Sequence, residues 1–188
     1  MGGDFTIGIE EEFQIVDPET RRLCGVVSEL VEAQTALDQV NLQHELHQSM
    51  VEIATGICKD VGEARADVVN NRQTLSRIAR RAGMAIGAAS THPISRWEEQ
   101  RTSESARYTE LVTELQDMAR ANLIFGMHVH VGLQDQDELI AVYNQARYFL
   151  PHLLALSTSS PFMRGRRTGI HSTRTLIFQR LPRTGIPE

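Results

Sequence analysis

The strongest constraint in the sequence is the run Thr6-Ile7-Gly8-Ile9-Glu10-Glu11-Glu12-Phe13-Gln14-Ile15-Val16, which has the composition of a strand yet holds three consecutive carboxylates. β-Branched and aromatic side chains favour a pleated, half-buried strand. Side chains alternate along a strand, so Glu10 and Glu12 share one face with Gly8, while Glu11 shares the other with Ile9 and Phe13. Two acids a few ångströms apart repel each other unless a cation sits between them or one keeps its proton. Gly8 leaves room on that face for something to approach. The same pattern also fits a solvated edge strand with its acids outward.

Two further stretches repeat the theme. Met50 to Thr55 reads as a strand with Val51 and Ile53 on one face and Glu52 on the other. Glu45 lies seven residues earlier, in a short extended piece or turn. A buried Glu is uncommon unless paired or metal-bound, and one of the many Arg would also satisfy it. In Ile124-Phe125-Gly126-Met127-His128-Val129-His130-Val131-Gly132 the alternation is strict. His128 and His130 share one face and reach one site, while Met127, Val129 and Val131 share the other. Imidazole suits a metal, or a phosphate when protonated.

The connecting segments fill in the architecture. Asp17-Pro18-Glu19-Thr20 signals a turn, and 21–27 is either a return strand or a loop. Ser28 is placed to cap a short helix with Leu30, Val31, Ala33, Gln34 and Leu37 on a patchy apolar face. Asp60 to Gly83 is the clearest helix, with Val61, Ala64, Val68, Leu75, Ile78, Ala79 and Ala82 at helical spacing. Its Arg65, Arg72, Arg77, Arg80 and Arg81 read as a solvated outer face. Met84 to Ala89 fits a short buried strand, and Trp97 to Ser105 a polar, mobile connection. One helix is expected over about 106–122, with Tyr108, Leu111, Val112, Leu115, Met118 and Ala119 on one side. Another spans 137–157 with a long apolar stripe, kinked or divided at Pro151. Then comes a basic, Gly-containing loop from Arg164 to Arg174, suited to an anionic substrate or simply exposed, and a strand over 175–180. The last residues, 181–188, show no closing feature.

Composition narrows the class. The 188 residues carry a formal charge of -5, so there is no general basic footprint for nucleic acid, and Lys59 is the only Lys. No apolar run reaches the ~18 residues of a membrane span. Two cysteines, Cys24 and Cys58, form no disulfide framework. The expectation is a cytosolic protein. Strands interspersed with long helices predict an α+β fold, a largely antiparallel sheet with helices covering one face. The open face would carry Glu10, Glu12, Glu52 and His128.

Taken in order, Gly8-Ile9-Glu10-Glu11-Glu12-Phe13, the stretch from Glu45 to Val51-Glu52-Ile53-Ala54-Thr55, Gly126-Met127-His128-Val129-His130-Val131-Gly132, and Ser159-Ser160-Pro161-Phe162 with Arg174 resemble the carboxylate–amine ligase family related to type 2 glutamate–cysteine ligases. The resemblance runs over nearly the whole chain. It implies a glutamine synthetase-like α+β fold and a single domain, 1–188, that is the N-terminal part of a longer ligase catalytic domain. It implies ATP and Mg²⁺, or Mn²⁺, as cofactors, and a glutamate carboxylate activated as an acyl phosphate and then attacked by an amine such as cysteine. Carried over by motif, Glu10, Glu12, Glu45, Glu52 and His128 hold metal; Arg174 and His128 meet the nucleotide; Arg174 and His130 serve catalysis. The resemblance leaves two other classes open: a metal-dependent hydrolase built on His128/His130 with Glu10 and Glu12, and a non-catalytic nucleotide or amino-acid binding fragment. Apolar surface left open by a missing half would favour a homo-oligomer.

Overall fold

The computed structural model describes residues 5–34, 38, 40–182 and 184–185. In chain order the elements are β1 (Thr6–Val16), α1 (Val27–Glu32), β2 (Asn41–His44), β3 (Met50–Ala54), α2 (Val61–Arg81), β4 (Ala85–Gly87), α3 (Ala106–Leu115), α4 (Asp117–Arg120), β5 (Met127–Gly132), α5 (Gln136–Ala146), α6 (Leu150–Leu156), the hairpin of β6 (Phe162–Met163) and β7 (Arg166–Arg167), and α7 (Thr173–Phe178). The expected α+β class holds. β1 is the axis of the main sheet. β3 pairs with it along one edge and β2 extends that side, while β5 and β4 pair end to end along the other edge, all antiparallel. The buried Gln14 side chain bridges the space beside β4 by donating to the Ala89 carbonyl at 2.7 Å.

One face of this sheet makes the core. Phe13 and Ile15 of β1 and Val51 and Ile53 of β3 pack against Val27 and Leu30 of α1 and Leu75 and Ile78 of α2. α2 starts where the sequence says it should: the Asp60 carboxylate accepts from the Glu63 N–H at 2.9 Å, and Glu63 reaches back to the Lys59 N–H at 2.9 Å. Its last turn carries Arg80 and Arg81, and Gly83 follows at φ +71.

Several expectations are corrected. Arg72 and Arg81 are not simply solvated: Arg72 forks onto the buried Glu11, and Arg81 pairs with the buried Asp38. A long Arg reaches over the helix edge to an acid that sequence spacing alone does not reveal. Ser28 lies inside α1, whose N-cap is Val26 with no side-chain cap, and Leu37 lies outside the described residues. The helix over 106–122 breaks at Gln116, which takes φ 49 and divides α3 from α4. The connection over 97–105 is ordered by a 3₁₀ turn at Trp97–Glu99 and by a bridge from Thr102 to His47. The basic loop contains the β6–β7 hairpin, whose turn places Arg164 at φ 54 and Gly165 at φ 75. The expected strand over 175–180 is instead covered by α7 and its exit. There Thr173 and Ile177, one helical turn apart, are the buried pair, so tertiary burial overrides β-branched propensity.

The largest departure is the stripe over 137–157. The division near Pro151 is present, with a 3₁₀ turn at Arg147–Phe149 between α5 and α6. Yet neither helix has a buried residue. An apolar stripe shows that a helix is built to be covered, not by what. Met127, Val129 and Val131 of β5 are likewise 57%, 56% and 51% exposed. Among the described residues no helix is long and apolar enough to cross a membrane.

Candidate active site on the acidic sheet face

The register of β1 assembles the opposite face. Glu12 stands directly across from Glu52 of β3, and Glu52 across from Gln43 of β2. On the other edge Glu10 faces His128 and Gly8 faces His130. Strand alternation therefore brings Glu10, Glu12, Glu52, His128 and His130 to one surface, while Glu11 goes to the core side. Glu45, one residue past the end of β2, joins them.

The acids divide into two groups. Ligand atoms of Glu12, Glu45 and Glu52 all lie within 4.8 Å of one another. Glu10 stands apart: its Oε2 is 3.1 Å from His128 Nδ1 and 3.1 Å from His130 Nε2. The sequence pairing of Glu10 with Glu12 is therefore redistributed: Glu12 groups with Glu45 and Glu52, and Glu10 with the two imidazoles of β5.

The electrostatics follow this division. The bond to His130, aided by His128, holds the Glu10 carboxyl below the usual range. Burial pushes Glu12 up, against the Gly126 N–H that donates to its Oε2 at 2.6 Å. Burial first, then Glu45, Glu10 and Glu12, pushes Glu52 up to about 7. Such crowding is the signature of a face that binds a proton or a cation. Oxygen-only donors fit Mg²⁺ or Mn²⁺, whereas the Glu10–His128–His130 group offers nitrogen as well.

Arg174 closes one side. Its N–H donates to Ser160 Oγ at 3.1 Å at the start of α7, and its guanidinium lies 5.7 Å over the Phe178 ring. Gly126 makes this approach possible: a Cβ there would sit 2.9 Å from Arg174 Nη2 and 3.4 Å from Glu12 Oε2. Arg174 Nε is buried without a hydrogen-bond partner among the described residues. Arg174 lines a cavity of about 280 Å³ whose wall also includes Glu12, Ser90, Phe125, Leu154 and Ser159. A guanidinium beside such a cavity suits an incoming oxyanion.

Two contributors escaped sequence reasoning. The Gly126 N–H acts through backbone, which leaves no residue-type signal. Tyr108 reads as part of an apolar stripe, but its hydroxyl donates to the His44 carbonyl at 3.4 Å, next to Glu45. The available clue was the polar tip of a Tyr on a buried face, which needs a partner.

Residues 6–188 match the family described as "Glutamate-cysteine ligase family 2 (GCS2)". The chain is 54% identical over its full length to a protein of Sorangium cellulosum named "Putative glutamate--cysteine ligase 2", covering 50% of it. A protein of the same name from Roseiflexus castenholzii is 50% identical over 97% of this chain and 48% of its own. The chain thus spans about half the length of the curated relatives it matches. Among solved structures, a glutamate–cysteine ligase of Francisella tularensis in complex with AMP superposes with a TM-score of 0.51 at 10% identity, over 78% of this chain and 30% of that one, a likeness of fold. Sequence motifs, fold and relatives converge: the chain belongs to glutamate–cysteine ligase family 2.

Proposed function

We propose that this chain is the N-terminal part of the catalytic domain of an ATP-dependent carboxylate–amine ligase of the glutamate–cysteine type. The observation that carries the reading is the Glu12–Glu45–Glu52 trio. Among the described residues no Arg or Lys forms an ion pair with any of the three. Glu12, Glu45 and Glu52 would hold Mg²⁺ or Mn²⁺, with His128 alongside. The bound metal supplies neutralisation of the triphosphate and of the charge that develops during phosphoryl transfer.

The chain's own groups have separable tasks. Arg174, with its unpartnered Nε, binds a substrate carboxylate or a phosphate oxygen. His130 and His128 keep Glu10 ionised and fix its orientation. A glutamate γ-carboxylate oxygen attacks the γ-phosphorus of ATP and ADP leaves. The amine nitrogen then attacks the acyl carbon, expelling phosphate and losing a proton. The substrate supplies both nucleophiles, so the face needs none from the protein. The open β5 and α5–α6 surfaces are where the rest of a longer protein would pack; without it they favour self-association.

Calorimetric titration with Mg²⁺-ATP, repeated on Glu12→Gln, tests the site. Binding lost in the variant supports it, and ADP release with glutamate and candidate amines then separates ligase from binding fragment. Equal binding by both proteins would contradict it.

A further inference from the structure

Arg174 sits in the first turn of α7, a helix of six residues whose N-cap, Ser172, makes no side-chain cap. A helix this short does not hold its own first turn. Its leading N–H groups need acceptors from elsewhere. Ser160 supplies one from 14 residues away: its Oγ accepts from the Arg174 N–H at 3.1 Å. The same residue donates its N–H to the His171 carbonyl at 3.1 Å, and its carbonyl accepts from the Thr173 N–H at 3.3 Å. His171, Thr173 and Arg174 are thus tied to one serine, which is 1% exposed.

The tether continues to the backbone on which Arg174 rests. Ser159 Oγ accepts from the Ser90 N–H at 3.3 Å, and the two hydroxyls lie 2.7 Å apart. The Ser90 carbonyl in turn accepts from the Phe125 N–H at 3.0 Å, one residue before the Gly126 that the guanidinium packs against. The 159–160 segment therefore fixes both the backbone that carries the arginine and the backbone that receives it. An Arg side chain has much rotamer freedom to lose. A guanidinium held in one place needs a fixed backbone beneath it.

Resting on the reading of Arg174 as the group that binds a substrate oxyanion, we propose that Ser160 is a positioning residue: its hydroxyl holds the Arg174 backbone where the guanidinium meets Gly126 and the cavity. Oxyanion affinity then depends on a buried side chain that reaches the ligand only through Arg174. The oxyanion comes from one of two sources, a nucleotide phosphate or a substrate carboxylate.

The test takes two readouts on the unsubstituted chain, Ser160→Ala, Arg174→Gln and the double variant, with unfolding temperatures recorded alongside. The first is calorimetric titration with Mg²⁺-ATP and then, in its presence, with glutamate; the arm that weakens in Arg174→Gln identifies the source of the oxyanion. In that arm Ser160→Ala is expected to weaken binding about fivefold, the size of one ordinary hydrogen bond. It should add nothing in the Arg174→Gln background. The second is the Arg174 Nε–H resonance in proton–nitrogen NMR spectra, identified by its loss in Arg174→Gln; it should shift or broaden in Ser160→Ala. A merely structural serine would lower the unfolding temperature with that resonance in place, or would weaken binding equally in both backgrounds. Either result overturns the proposal. Ser160→Cys, close in size but only a weak acceptor, replaces the alanine variant if that does not fold. If Arg174→Gln weakens binding and the Ser160 variant does not, only the role of Ser160 falls. If Arg174→Gln weakens neither arm, or the unsubstituted chain binds neither ligand, the oxyanion reading of Arg174 falls and this proposal with it.

Discussion

Glu11 and Glu12 are neighbours in the chain with the same side chain, and they meet opposite fates on the two faces of one sheet. On the helix side Glu11 is buried and receives a two-pronged bond from Arg72, with Nε at 2.8 Å from one oxygen. On the open side Glu12 is drawn in beside Glu45 and Glu52, with one backbone N–H for support. The protein neutralises the first acid itself and leaves the second group crowded. A buried acid with its own arginine is structure; half-buried acids crowded around a buried one are a place prepared for something from outside.

The contrast breaks most visibly on the helix side. Arg72→Ala strands a buried carboxylate, and urea unfolding should show a loss of about 3 kcal/mol. Ion binding on the other face should be little changed. A loss near zero would mean that Glu11 finds water or another donor, and the two faces would then differ less than proposed.

The open face should answer to pH. The folded Glu52 titrates near 7 rather than at its ordinary 4.5, so between these values the folded chain binds more protons than the unfolded one. Stability is therefore greatest at the acid end of this window and falls as pH rises through it, by about 3 kcal/mol. Glu52→Gln should flatten that slope and make the protein more stable at pH 8. An unchanged slope in the variant would place the titration elsewhere.

The smallest effect on stability is expected at the boundary between the faces. Gly126→Ala pushes a methyl group against Arg174 and Glu12, at a cost of about 1 kcal/mol. Mg²⁺-ATP binding should suffer more than folding does, because the displaced group is Arg174. Thermal unfolding and calorimetry on the same sample would separate the two.

Much of this was legible in the sequence because strand alternation is a hard rule. It placed Glu10 and Glu12 together, put Glu11 and Glu52 on opposite faces, and aligned His128 with His130. Helix α2 was legible from its spacing. The regrouping into a carboxylate trio and a Glu10–imidazole group was not, because it depends on which strands flank β1. Nor was the partner of Glu11, since Arg72 and Glu11 are 61 residues apart. The α5–α6 stripe and α7 misled for one reason: local pattern reports what a segment prefers, while burial depends on the layer that faces it.

The central claim is that the trio on the open face is completed by a divalent cation. Urea unfolding at pH 8, with and without millimolar Mg²⁺, tests it most directly on the unsubstituted chain and on Glu52→Gln. Mg²⁺ at a hundred times its dissociation constant should stabilise the unsubstituted chain by about 2.7 kcal/mol and the variant far less. Equal curves for the unsubstituted chain with and without Mg²⁺ would contradict the claim, and the crowded acids would then be held by protons alone.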